Sequence, residues 1–353
     1  MKPELEKLCN DYIANREAVK DAFRFDKAAF FAVCAGIFCA GGKAADPDRL
    51  KACRRVIKQH TGFRSRFRSK LIRSMLASML SLSENPEERM ALANDYFRLL
   101  KRHFKGTEYL VLAAFLLSDL ADQTLTEEKA ARGKELFNRM NRQHRLLTNE
   151  TDSVFSMMMA FSEKTDDELL EDAEACYRAL KAKFSSSGDV QTAAQILSVS
   201  PRTPEEKVRR VTDLYDALRE AEIKYGQKQE LAPLAALSLT DIPAEDLVAD
   251  IREADGFLAG QKKLYGKKDE DLAERAMHAV MIVSGQYADA GRLNAALMAT
   301  TLEMVIAKKQ AARISLIFQI LQALGHGLGG KKGGETASDS ASQASTPTDL
   351  NPQ

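Results

Sequence analysis

A helical pattern that returns roughly every 40 residues, a period typical of stacked helical repeats, constrains this chain more than any other feature. The segments Phe97–Lys101, Phe137–Asn141, Tyr177–Lys181 and Tyr215–Arg219 each open on an aromatic, place an apolar residue three positions on, and follow it with a polar one. Their aromatics are close to evenly spaced, and Phe257 gives a weaker echo at the next expected place. A second element keeps the same rhythm: apolar runs of small residues that end in a hydroxyl, at Ser83, Ser118, Ser162, Ser200 and Thr240. In the first element the apolar positions fall on one helical stripe, as Val208, Val211, Leu214, Tyr215 and Leu218 do. Strand-like alternation is nearly absent.

Between the two elements lie helix starts. Asn85-Pro86-Glu87-Glu88 and Thr203-Pro204-Glu205-Glu206 each supply a cap residue, a proline at the first helical position and acids in the first turn. Thr165–Glu168 and Thr124–Glu127 have capping-box spacing. The unit is an apolar helix, a short turn and an amphipathic helix, repeated about five times over residues 74–268. Neither helix can bury its face alone, whereas stacked pairs can. The fold class expected is therefore all-α, an α-solenoid-like array of helical hairpins, with a closed multi-helix bundle as the alternative. The period is longer than that of tetratricopeptide repeats and suits HEAT-like stacking better. Recurrent Phe, Tyr and Met positions, including Met157–Met159, read as core.

The flanks differ from the repeats. Residues 1–73 read as an N-terminal helical cap, in which Cys53–Lys58 is a degenerate repeat helix. Residues 269–330 read as closing helices, including Leu293–Ala307 and an end-cap helix Ile314–Leu324. Residues 331–353, rich in Gly, Ser, Thr, Ala and Gln, read as a disordered tail.

Five cysteines, an odd number with no C-x-x-C, read as reduced and mostly buried. Five isolated histidines give no zinc spacing, so neither a metal nor a cofactor is expected. The apolar run Ala28–Gly42 is too short to span a bilayer and follows a charged stretch without a cleavage pattern, so it reads as a buried helix. A cytoplasmic protein without a membrane partner is the expectation.

The segments Asp46–Lys51, Val56–Lys58 with Thr61-Gly62, Leu80–Glu88, Leu147–Asp152 and Gln191–Leu218 resemble an uncharacterised bacterial family, known only as a domain of unknown function (number four thousand and three). The likeness runs from about residue 4 to about residue 290. It implies an all-helical intracellular protein and supplies no catalytic residues, and the low-complexity tail departs from it.

Candidate sites are few. Gly325, Gly327 and Gly330 satisfy a dinucleotide-type glycine pattern, but no strand precedes them and no helix follows, so a glycine cap leading into a linker is the reading. The pairs Glu87/Glu88, Glu127/Glu128 and Glu205/Glu206 belong to first turns rather than to acid–base chemistry. No hydrolase or metalloprotease motif appears, and an enzyme is not expected. One stretch stands out. From Asp48 to Glu84 there are ten basic residues and no acid between, so residues 1–73 carry a net +9 and the remainder −8 inside a chain whose total is +1. A helix over 61–70 would put Phe63 and Phe67 on one face and Arg64 and Arg68 on the next. Arg54, Arg55, Arg64, Arg66, Arg68 and Lys70 are thus the candidate contact residues. A protein–protein scaffold using these and the groove of the repeats is the first expectation, and nucleic-acid or phosphate binding through the same segment is the alternative. The acidic stretch Glu163–Glu174 of the chain itself is another possible partner for them.

Overall fold

The computed structural model describes residues 1–120, 124–265 and 269–287. The expected closing helices Leu293–Ala307 and Ile314–Leu324, the glycine run after Gly325 and the tail 331–353 lie outside the described residues. Fourteen α-helices and two short 3-10 turns, with no strand, account for the regular structure of the described residues.

The helices alternate in character. The amphipathic ones are α1 (Pro3–Ala22), α3 (Pro47–His60), α5 (Pro86–Leu100), α7 (Glu127–Gln143), α9 (Asp166–Lys181), α11 (Pro204–Glu220) and α13 (Ala244–Ala259). From α3 onward their starts keep the period of the sequence pattern. Each buries one stripe, as α11 does with Val211, Leu214, Tyr215 and Leu218. The apolar ones are α2 (Ala28–Ala40), α4 (Arg73–Leu82), α6 (Glu108–Leu117), α8 (Asp152–Met159), α10 (Ser187–Ser198), α12 (Leu231–Ser238) and, apolar only in its second half, α14 (Asp269–Tyr287). Most of these are buried nearly all round; α2 encloses every residue from Phe30 to Cys39. The expected buried helix at 28–42 is therefore an inner helix, and all five cysteines are free and buried.

Each amphipathic helix packs on the apolar helix that follows it, which gives seven hairpins among the described residues. The amphipathic helices also touch in sequence, α1 to α3 and so on to α13, and α13 returns to α1. On the inside α14 packs against α2, which in turn packs against α4. In an open solenoid each unit meets only its neighbours along the chain. Here the first hairpin meets the last, so the open array expected from the repeat is replaced by the closed arrangement of the same hairpins. A single apolar cluster contains Phe38, Leu76, Phe115, Phe155, Ile196, Ala236 and Met281, one residue from each inner helix. The cavity between α8 and α10, lined by Phe155, Met158, Gln195, Ile196 and Val199, amounts to only about 10 Å³.

The seam that closes the ring is partly polar. Asp250 of α13, 2% exposed, accepts from Lys2 Nζ at 2.8 Å and from the Tyr287 hydroxyl at 2.7 Å. Further along α14 the buried His278 ring shares a 2.6 Å hydrogen bond with Tyr265 and lies near the Tyr12 ring. Burial pulls the imidazole down to about 3, with the Arg16 charge acting in the same direction, so it is neutral at ordinary pH.

Candidate functional site

Because outer and inner helices run in opposite directions and every hairpin runs the same way, their connections gather at two ends. At one end, inner-helix C-termini meet outer-helix N-termini, and here four of the five recurring hydroxyl residues, Ser83, Ser162, Ser200 and Thr240, offer their backbone to cations. Their backbone carbonyls are left over when the inner helices stop. Arg49 of α3 donates to the carbonyls of Ser81 and Ser83, and Arg132 of α7 to those of Ala160, Ser162 and Lys164. Lys164 donates to those of Ser198 and Ser200, and Arg210 of α11 to those of Ser238, Thr240 and Ile242. Sequence reading missed these cations because their position within the unit drifts. The outer helices begin at this end with acids in every first turn from Glu4 of α1 to Asp246 of α13. Capping follows expectation at Asn85, Thr203 and the Thr165/Glu168 box; at α7 the cap is Thr126 rather than Thr124.

At the opposite end, outer helices pass into inner ones. Contacts link these connections in succession: Asp26 with Arg73, Arg66 with Glu108, Lys105 with Glu150, and Thr148 with Gln191. This end is basic. The connection 61–72 carries four cations and no acid, and 101–107 carries three and no acid.

The six candidate contact residues all belong to α3 or this connection, yet they do different work. Residues 61–72 are not α-helical; they hold only a 3-10 turn at Arg66–Arg68. Phe63 and Phe67 therefore part company, Phe67 buried against Phe97 and Phe63 88% exposed. Arg68 folds back on the carbonyls of Lys58 and Thr61, closing the end of α3, and Arg66 pairs with Glu108 at 3.2 Å. Arg55, Arg64 and Lys70 are exposed and Arg54 half-buried, and none of these four has a hydrogen-bond or ion-pair partner among the described residues. The acidic stretch 163–174 is engaged elsewhere: Asp166 with Arg132, Asp167 with Arg139, Asp172 with Lys164 and Lys207, Glu174 with His144.

The wall of the ring carries an open groove between α11 and α13, about 530 Å³ in volume. Leu214, Ala217, Ile242 and Leu247 form its apolar floor, and Asp213, Asp216, Glu220, Asp241 and Glu245 outnumber Arg209 and Arg210 around it. Arg210 is already committed to carbonyls, Asp213 to Arg209, Asp216 to Lys183 and Asp241 to Arg202. Glu220 and Glu245 are left exposed without a described partner.

Buried polar groups elsewhere are held by one another. Asp152, raised above the usual carboxylate range chiefly by burial, accepts from the side-chain amides of Gln195 and Gln191 and from the Asn149 backbone. Burial pushes the thiols of Cys9, Cys34, Cys39 and Cys176 up to about 12, far from nucleophilic thiolates. Among the described residues no three His, Cys, Asp or Glu side chains are grouped to hold a metal ion, and no helix is long and apolar enough to cross a membrane.

A family model described as a protein of unknown function (DUF4003) matches residues 15–311. No curated protein and no solved structure matches the chain.

Proposed function

We propose that this chain, which belongs to the DUF4003 family, is a non-catalytic scaffold that holds a protein partner in the groove between α11 and α13. The observation that carries the reading is the groove's make-up: an apolar floor with two uncommitted acids, Glu220 and Glu245, on its walls. A partner segment that matches it is a helix with one apolar face and lysines or arginines beside that face, the helix-in-groove mode of recognition. Two further features support binding over catalysis. The inner helices share one apolar cluster, and many of the arginines and lysines near the inner-helix ends are spent on carbonyls.

The test is site-specific photocrosslinking in cells from Ala217, on the groove floor, with Gly256 on α13 as the control position. The expected result is a discrete protein adduct from Ala217 that disappears in Glu220→Lys/Glu245→Lys and persists in Arg55→Gln/Arg64→Gln/Lys70→Gln. Adducts that are the same from both positions, or indifferent to the two glutamates, would overturn the reading.

A further inference from the structure

The basic end of the ring carries a second surface, independent of the groove. Three large apolar side chains project from its connections almost fully exposed: Phe25 at 89%, Phe63 at 88% and Leu146 at 97%. Burying such residues is the normal outcome of folding, and three of them left in water at loop tips need a reason. Each stands next to an exposed arginine in the chain, as Arg24-Phe25, Phe63-Arg64 and Arg145-Leu146. All three pairs lie in outer-to-inner connections, those between α1 and α2, α3 and α4, and α7 and α8. The ion pairs Asp26–Arg73, Arg66–Glu108 and Lys105–Glu150 tie these connections together along one end. Around them stand exposed Lys27, Lys70 and Lys101, while Lys105 is spent on Glu150 and Arg24 has only a loose 3.8 Å pair with Asp21. Asp26 is consumed by Arg73, so it does not cancel the basic surface.

We propose that this end docks on an anionic lipid surface, with Phe25, Phe63 and Leu146 entering the headgroup region while Arg24, Arg64 and Arg145 take lipid phosphates. The chemistry distinguishes this occupant from others. A nucleic-acid strand uses aromatic faces as stacking platforms, which suits Phe25 and Phe63 but leaves Leu146 without a role. A lipid interface accepts aromatic and aliphatic side chains alike, and attracts the surrounding cations through its surface potential. The three tips come from three separate hairpins spread along the chain. Read along the sequence the three pairs are isolated, and no membrane partner is expected from them; the fold alone brings them to one end.

Co-sedimentation of the full chain with vesicles tests the assignment. Vesicles of equal parts phosphatidylcholine and phosphatidylserine should carry the protein down, and vesicles of phosphatidylcholine alone should not. Arg24→Gln/Arg64→Gln/Arg145→Gln should lower partitioning about a hundredfold, the sum of three surface cations. Phe25→Ser/Phe63→Ser/Leu146→Ser should lower it at least about tenfold while the circular dichroism spectrum is unchanged, since these side chains pack on nothing. The single change Leu146→Ser should also weaken sedimentation measurably. Glu220→Lys/Glu245→Lys should leave vesicle binding intact, which separates failure here from failure of the groove. Equal binding to both vesicle types, or none to either, would overturn the proposal. So would tight binding to a single-stranded oligonucleotide that depends on Phe25 and Phe63 but not on Leu146.

Discussion

At the scale of single residues, arginines that look alike in the sequence divide into two kinds. Arg132 sits among the carbonyls of Ala160, Ser162 and Lys164 with Asp166 beside it, whereas Arg64 meets only solvent. A charged hydrogen-bond donor to otherwise unmet carbonyls is worth about 1.5–3 kcal/mol each, less the solvent share of a partly exposed group. Arg132→Gln is expected to lower unfolding free energy by about 2 kcal/mol in urea denaturation, and Arg64→Gln to change it by less than about 0.5 kcal/mol. His278 sets a pH dependence of its own. Its folded pKa, about 3, lies below the ordinary value of 6.5, so the unfolded chain binds the proton more readily between them. Its contribution is complete above pH 6.5 and is lost as pH falls toward 3, with a slope of up to about 1.4 kcal/mol per pH unit. In His278→Gln, where the side-chain amide can pair with the Tyr265 hydroxyl, stability measured across that window should fall less steeply with acid.

At the scale of elements, the closure depends on small residues where inner helices cross. A Cβ added at Gly285 of α14 would stand 3.3 Å from the Ala40 backbone nitrogen of α2, so that the α2 backbone must yield by a few tenths of an ångström. Gly256, within α13, has nothing within 4 Å of the same added atom. Gly285→Val should therefore cost about 1–3 kcal/mol through overpacking, while Gly256→Ala should gain about 0.5–1 kcal/mol from helix propensity alone. Thermal melts of the two variants check the contrast, and equal shifts would mean that the seam is not tightly packed. Element identity was legible in the sequence for the same physical reason. The amphipathic stripe of α11, the caps at Asn85, Thr165 and Thr203 and the apolar run of α2 are local properties of a chain, set by side-chain periodicity and backbone satisfaction. The connection 61–72 was not legible, because its four cations leave helix and turn equally open until Arg68 finds the end of α3 and Phe67 finds Phe97.

At the scale of the whole molecule, the repeat announces hairpins but says nothing about whether their succession closes. Closure rests on contacts such as Lys2 with Asp250 and α2 with α14, which join the two ends of the described chain and leave no periodic mark. Charge follows the same rule. The sequence separates a basic N-terminal part from an acidic remainder, whereas the fold sorts charge by end: acids with the outer-helix starts, and uncommitted cations with the connections opposite. Candidate contact residues read from a basic run alone therefore included Arg66 and Arg68, which hold the framework, and missed Arg24 and Arg145, which lie far from the run.

The seam between α2 and α14 also decides how the protein must be born. Helix α2 is apolar on every side, and one of its walls is α14, among the last described helices to be made. At ribosomal rates of about 5–20 residues per second, the roughly 240 residues between them take on the order of 10–50 seconds to emerge. For that interval the nascent chain presents an unfinished apolar flank to chaperones or to a neighbouring polysome. A circularly permuted gene that begins at α13, so that the seam-forming hairpin is synthesised beside α1 and α2, would move that exposure to the junction of α11 and α13.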